Sequence, residues 1–163
     1  MKRTSFGTMK CPIARGLERV GEWWSMLILR DAFRGMTRFD QFQASLPIAP
    51  NMLSRRLAAL VEAGLLEKRR YSERPPRYEY LLTDRGRDFR PVLLALQAWG
   101  SRHFAPEGPS VVLVDTRTGQ PAEPVLVDAV TGDRITEATH RNIAGPGARK
   151  SAPRPAAPAG GHR

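Results

Sequence analysis

Cysteine occurs once in these 163 residues, at Cys11, so no disulfide can close within the chain and an extracellular disulfide scaffold is excluded. Histidine is nearly as scarce. His103, His140 and His162 are too scattered to build a metal site or a catalytic dyad. Long apolar runs are missing too: aliphatic stretches such as Met26 to Leu29 fall far short of the roughly 20 residues that cross a bilayer. Met1-Lys2-Arg3 could open a signal peptide, but "TSFGTMKCPIARG" supplies no apolar core behind it. The sequence also holds no nucleophile motif, phosphate-binding loop or carboxylate pair. It is therefore expected to be no enzyme, to need no cofactor or metal, to have no membrane partner, and to reside in the cytoplasm.

Acidic residues are outnumbered 16 to 26 by lysine and arginine, which leaves a formal charge of +10 and points to a polyanionic or acidic partner. The imbalance is uneven along the chain. Residues 1–105 carry 19 cations against 10 acids, 106–143 carry three arginines against six acids, and 144–163 carry four cations and no acid. The basic character belongs to the first two thirds.

Within that region, Pro12 opens a helix in which Ile13, Leu17 and Val20 share a face, and Gly21 breaks it. "EWWSMLILRDAFRG" is apolar almost all round, as a central buried helix is, and Gly35 ends it. Thr37 is the expected N-cap of a short helix ending at Pro47, with Asp40 placed to complement its dipole. After about four residues Pro50 starts "PNMLSRRLAALVEAG", with Leu53, Leu57 and Leu60 inward and Gly64 closing it. Such a pair reads as a helix-turn-helix. The period then changes to two: "LLEKRRYSE" and "RYEYLLT" predict antiparallel strands joined by a turn spanning Glu73 to Arg77. Thr83 or Asp84 caps a final helix running to Phe104, with Pro91 in its first turns or at a kink.

Beyond Ala105, Val112-Leu113-Val114-Asp115-x-x-Thr118-Gly119 recurs thirteen residues later as Val125-Leu126-Val127-Asp128-x-x-Thr131-Gly132. Each unit predicts a strand entering a glycine turn, and the pair a small β-ribbon. Its turns have the layout of a zinc knuckle without any cysteine or histidine, so the ribbon is expected to be structural. The organisation expected is a loose N-terminus at 1–10, a winged helix-turn-helix at 11–105, the ribbon at 106–143, and a disordered Pro/Gly/Ala-rich tail at 144–163. The class is mainly α with a small β component.

A helix-turn-helix followed at once by a basic hairpin is the winged-helix arrangement, whose second helix enters the major groove while the hairpin reaches the backbone or minor groove. At 100° per residue, Asn51 and Arg55 point away from the leucine stripe, Ser54 lies on its flank, and Arg56 falls nearer the buried side, toward a phosphate. Lys68, Arg69, Arg70, Arg74 and Arg77 place five cations within ten positions of the hairpin, and Arg38 precedes the first of the two helices. Five like charges on a tight turn call for a polyanion opposite. Phe89, Val92, Leu93, Leu96 and Trp99 form the stripe expected at a dimer interface. Cys11, just before a helix and near Lys10 and Arg15, could be a reactive thiolate or a buried thiol kept for packing.

Cys11-Pro12, "WWSMLILR" at 23–30, "RF" at 38–39, "MLSRRL" at 52–57, "L-x-x-GL" ending at Leu65, "PPRYEYLLT" at 75–83 and Gly86 are a specific combination. Over residues 11 to 104 the chain resembles the HxlR-type family of bacterial winged-helix transcriptional regulators. Ala49 departs from it, standing where members often carry a capping serine. The resemblance implies duplex DNA as partner, a nucleoid association, and a homodimer joined by its terminal helices that reads a pseudo-palindrome. It also implies that Arg38, Asn51, Ser54, Arg55, Arg56 and the wing cations serve DNA, and that Cys11 could sense oxidants or electrophiles. Trp23, Trp24, Phe89 and Trp99 are expected to serve core or dimer packing, with a small-molecule pocket near the tryptophans as the alternative. An RNA-binding winged helix and a protein-interaction module remain the alternatives.

Overall fold

The computed structural model describes residues 11–146 and 148; the expected loose decapeptide and most of the expected disordered tail lie outside them. Six helices and one two-stranded sheet follow in the order α1 (Pro12–Val20), α2 (Trp23–Phe33), α3 (Phe39–Ser45), α4 (Pro50–Glu62), β1 (Leu66–Glu73), β2 (Pro76–Leu82), α5 (Asp84–Arg87) and α6 (Arg90–Phe104). The core is a single cluster. Ile28 and Leu29 of α2, Phe42 of α3 and Leu53, Leu57 and Leu60 of α4 are fully buried in it, closed off by Leu65 and Leu66 at the base of the hairpin. The inward leucines of α4 are those that its 3.6-residue period selects. On α1 only Ala14 and Val20 are buried; Ile13 and Leu17, expected on the same inward face, are exposed.

A buried carboxylate joins α2 to α3. Asp31 is fully buried; its Oδ2 accepts from Ser45 Oγ at 2.7 Å, and its Oδ1 accepts from Arg30 Nε at 2.8 Å, with Arg34 Nη1 at 3.6 Å. The start of α3 departs from expectation. Its N-cap is Arg38 instead of Thr37, because the Thr37 carbonyl is taken by Tyr80 N–H of β2 at 2.6 Å. The Gln41 side chain accepts from both Thr37 N–H and Arg38 N–H at 2.9 Å.

Helix α4 starts on Pro50 with no side-chain cap from Ala49, and it ends in a Schellman motif. Gly64 N–H bonds Val61 O, Leu65 N–H bonds Leu60 O, and Gly64 takes φ +69°. The carbonyls that follow are taken up from the far side of the hairpin. Arg85 Nη1 donates to Ala63 O at 3.1 Å, Thr83 Oγ1 to Gly64 O at 2.6 Å, and Thr83 N–H to Leu65 O at 3.2 Å. Thr83 also caps α5, its Oγ1 accepting from Gly86 N–H at 3.1 Å. Gly86 is buried where α5 crosses this junction.

The expected single helix from Asp84 to Phe104 is two helices. Its break at Asp88-Phe89 places Pro91 in the first turn of α6, where a residue has no intrahelical N–H bond to lose. The turn of the hairpin is also tighter than expected, with strand pairing reaching Glu73 opposite Pro76. After α6 the thirteen-residue repeat forms two successive hairpins, each closed by one β-bridge, Val114 to Pro121 and Val127 to Arg134. The expected strands are thus reduced to single bridges. In each hairpin the first aspartate's Oδ1 accepts a backbone N–H two residues on, and Gly119 or Gly132 takes the positive φ of the turn.

Two glycines separate backbone need from mere tolerance. A Cβ at Gly86 would overlap the Leu65 carbonyl and press on Leu82, whereas at Gly16, inside α1, it would meet nothing. Gly86→Ala is expected to destabilise the fold by about 1–3 kcal/mol, and Gly16→Ala to stabilise it by about 0.5–1 kcal/mol. Urea unfolding followed by circular dichroism checks both signs.

Candidate nucleic-acid interface

Asn51, Ser54 and Arg55 are all exposed on the N-terminal half of α4, and Ala58 and Glu62 continue the same face. That face exists because the leucines spaced three and four apart commit the opposite side to the core. Arg56 is not with them. It is about one fifth exposed, and its Nη2 pairs with Glu22 Oε2 at 3.2 Å, fastening α4 to the N-cap of α2.

The hairpin carries its cations in three different states. Arg69 donates through Nε and Nη2 to Glu79 Oε1, both at 2.9 Å. Arg70 reaches the Glu73 carboxylate at 3.1 Å and the Ser72 and Glu73 carbonyls, bracing the tip from inside. Lys68 lies 4.1 Å from the Tyr78 ring centroid and Arg38 lies 4.6 Å from that of Tyr71, geometry in which the ring face attracts the cation. Arg74 and Arg77 remain, exposed at the tip and in no ion pair with a described residue. The five-cation cluster is therefore less crowded than its sequence suggests, with its outermost charges the least engaged.

Arg38 belongs to both structures. It bridges to Glu79 of β2, so the segment before α3 lies along the hairpin as a one-residue third strand. Tyr71 is the unpaired residue of a bulge between Arg70 and Ser72, and a groove lined by Arg38, Tyr71, Arg77 and Tyr78 separates α3 from the tip. Tyr80, half-buried at the base of this groove, has its hydroxyl pKa pushed up by burial and stays protonated.

Of the stripe expected at a dimer interface, Phe89 and Leu93 are half-buried against the molecule's own core, while Val92, Leu96 and Trp99 are exposed. Ile13, Leu17 and Trp23 are also exposed, Trp23 by 73%. Cys11 is an exposed N-cap of α1 and not a buried packing thiol. Sequence reasoning missed Asp31, Ser45, Glu22 and Glu79, the acids and hydroxyl that hold these elements together. Only Asp31 left a signal, an acid inside an otherwise apolar helix.

Comparison with known proteins bears on this arrangement. Residues 19–108 match the family described as HxlR-like helix-turn-helix. The chain is 42% identical over 136 residues to the uncharacterised HTH-type transcriptional regulator Rv3095 of Mycobacterium tuberculosis, covering 83% of this chain and 86% of that relative. Among solved structures it is similar to PA1607, a proposed transcription factor, at 39% identity and a TM-score of 0.77, over 87% of this chain and all of that one. PA1374 of Pseudomonas aeruginosa is 55% identical with a TM-score of 0.62, over 86% and 96% of the two chains. The reduced form of the redox regulator HypR is 29% identical with a TM-score of 0.54, over 60% of this chain and 99% of that one. No described helix is long and apolar enough to cross a membrane. With its helix-turn-helix, basic wing and matched family region, the chain belongs to the HxlR-like helix-turn-helix family of DNA-binding transcriptional regulators.

Proposed function

We propose that the protein acts as a homodimer on a pseudo-palindromic operator, with α4 reading the major groove and the β1–β2 wing held against the neighbouring backbone or minor groove. The observation that carries this is the division of labour among exposed cations. Arg55 shares the open face of α4 with Asn51 and Ser54, whereas Arg74 and Arg77 stand alone at the wing tip. A guanidinium on the reading helix can address a guanine edge in two hydrogen bonds, while tip cations meet phosphates or the narrow groove. Arg38, Lys68, Arg69 and Arg70 lie inside this footprint and support it from their ring and carboxylate partners. Arg56 is better read as a strut than as a phosphate ligand. The cations over Tyr71 and Tyr78 cover the ring faces that an RNA base would stack on, which favours duplex DNA over RNA.

The dimer follows from apolar surface. Val92, Leu96 and Trp99 lie three or four residues apart on one side of α6, with Trp99 52% exposed, and Ile13 and Leu17 of α1 are exposed as well. A monomer would leave these faces in water. Cys11 carries the redox reading: it is exposed, and HypR, similar over the winged-helix region, is a redox regulator.

Arg55→Ala is expected to lose about 1–3 kcal/mol at the specific site and to relax preference at one position per half-site. Replacing Arg74 and Arg77 together should weaken specific and random duplexes alike and flatten the salt dependence by roughly one to two units per subunit. Fluorescence anisotropy over a salt series distinguishes the two patterns, and an Arg55 variant that weakened all sequences equally would refute the assignment. Light scattering should give twice the chain mass of 18.2 kDa for the wild type and that mass once for Leu96→Glu/Trp99→Glu. Peroxide is expected to alter operator affinity in the wild type and to leave it unchanged in Cys11→Ser, measured in the same anisotropy assay.

A further inference from the structure

A concavity lies away from the α4 face and the wing, under the segment that follows α6. This segment folds back onto the helix: the Val111 carbonyl accepts from Gln97 Nε2 at 3.2 Å, and Glu123 pairs with Arg102 at 2.8 Å. The concavity holds about 210 Å³ and is lined by Arg30 and Phe33 of α2 and its C-cap Arg34, by Arg90, Leu93, Leu94 and Gln97 of α6, and by residues 111–113. An adjoining space of about 270 Å³ shares Leu94, Gln97 and residues 111–113 and is mainly apolar.

The charges in this cavity do not balance. Three arginines line it, and two of them meet the Asp31 carboxylate, Arg30 at 2.8 Å and Arg34 at 3.6 Å. Arg90 forms no ion pair with a described residue, and the first turn of α6 contains no acid to offset it. Uncompensated arginines beside phenylalanine, leucine and valine walls are complementary to a ligand with one anionic end and an apolar body. The guanidinium fork suits a carboxylate, which it can hold through two parallel hydrogen bonds.

We propose that this cavity binds a small amphipathic carboxylate. Its charged end sits between Arg34 and Arg90, its body lies against Phe33, Leu93 and residues 111–113, and its presence is relayed to α3. The relay uses a single side chain. Asp31 shares one oxygen with the arginines and gives the other to Ser45 Oγ, so an anion that draws Arg34 away changes the partners of the group that holds α3 to α2. Control of operator affinity by this site rests on the proposed function, but binding and relay can both be measured without DNA.

The test titrates the full chain calorimetrically with phenylacetate and with its neutral isostere phenylacetamide, and follows hydrogen exchange at the amides of residues 39–45. Phenylacetate is expected to bind at least about tenfold more tightly than the amide and to change exchange across α3. Arg90→Gln alone, and Arg34→Gln/Arg90→Gln together, should each weaken the acid and leave amide binding unchanged, with the larger loss, about tenfold or more, in the double variant. Equal binding of acid and amide, full acid affinity in both variants, or no binding up to about 10 mM would overturn the site. Binding without any change at residues 39–45 would overturn the relay.

Discussion

The geometry of the surface formed by α4 and the wing depends on how the last carbonyls of α4 are satisfied. A helix end sealed against the core cannot leave its acceptors bare, because each buried unpaired carbonyl costs on the order of 1–3 kcal/mol. Here the acceptors at Ala63, Gly64 and Leu65 are met by Arg85 and Thr83, residues that lie beyond the entire hairpin. The strand that leaves α4 and the strand that returns to α5 are therefore pinned at the same point. This sets the angle between α4 and the wing, and the absence of a side chain at Gly86 allows the crossing.

Legibility in the sequence followed the range of the interaction. The four helices before the hairpin, the hairpin itself, and the outward direction of Asn51 and Arg55 could all be read from spacing, since each depends on period and on local punctuation by proline and glycine. The features that escaped are long-range. Nothing local tells that the Thr37 carbonyl will be taken by Tyr80 and so move the cap to Arg38, or that Arg56, already nearer the buried side, will find Glu22 in place of a phosphate. The stripe on α6 was read correctly as apolar but divides in use, because Phe89 and Leu93 turn to the core while Val92, Leu96 and Trp99 do not. A period identifies a face, but the partner of that face is set by the rest of the fold.

Charge in the wing is graded in the same way. Arg70 and Arg69 are spent on Glu73 and Glu79, which relieves repulsion and stiffens the hairpin, while Arg38 joins it to the start of α3 through the Glu79 bridge and the Tyr71 ring. The wing and the helix-turn-helix are consequently joined at the base of the hairpin and again partway along it. Such a body has little freedom to change the reach of its wing relative to α4.

The two hairpins after α6 show what a short repeat permits. Each unit closes its own bridge, supplies its own aspartate to its own turn, and places its own glycine at positive φ. A unit of this kind carries its hydrogen bonds with it. Duplication or loss of thirteen residues would lengthen or shorten the arm without altering the register of any strand or helix before it, so the arm could vary in length among related chains while the winged helix beneath it stayed the same.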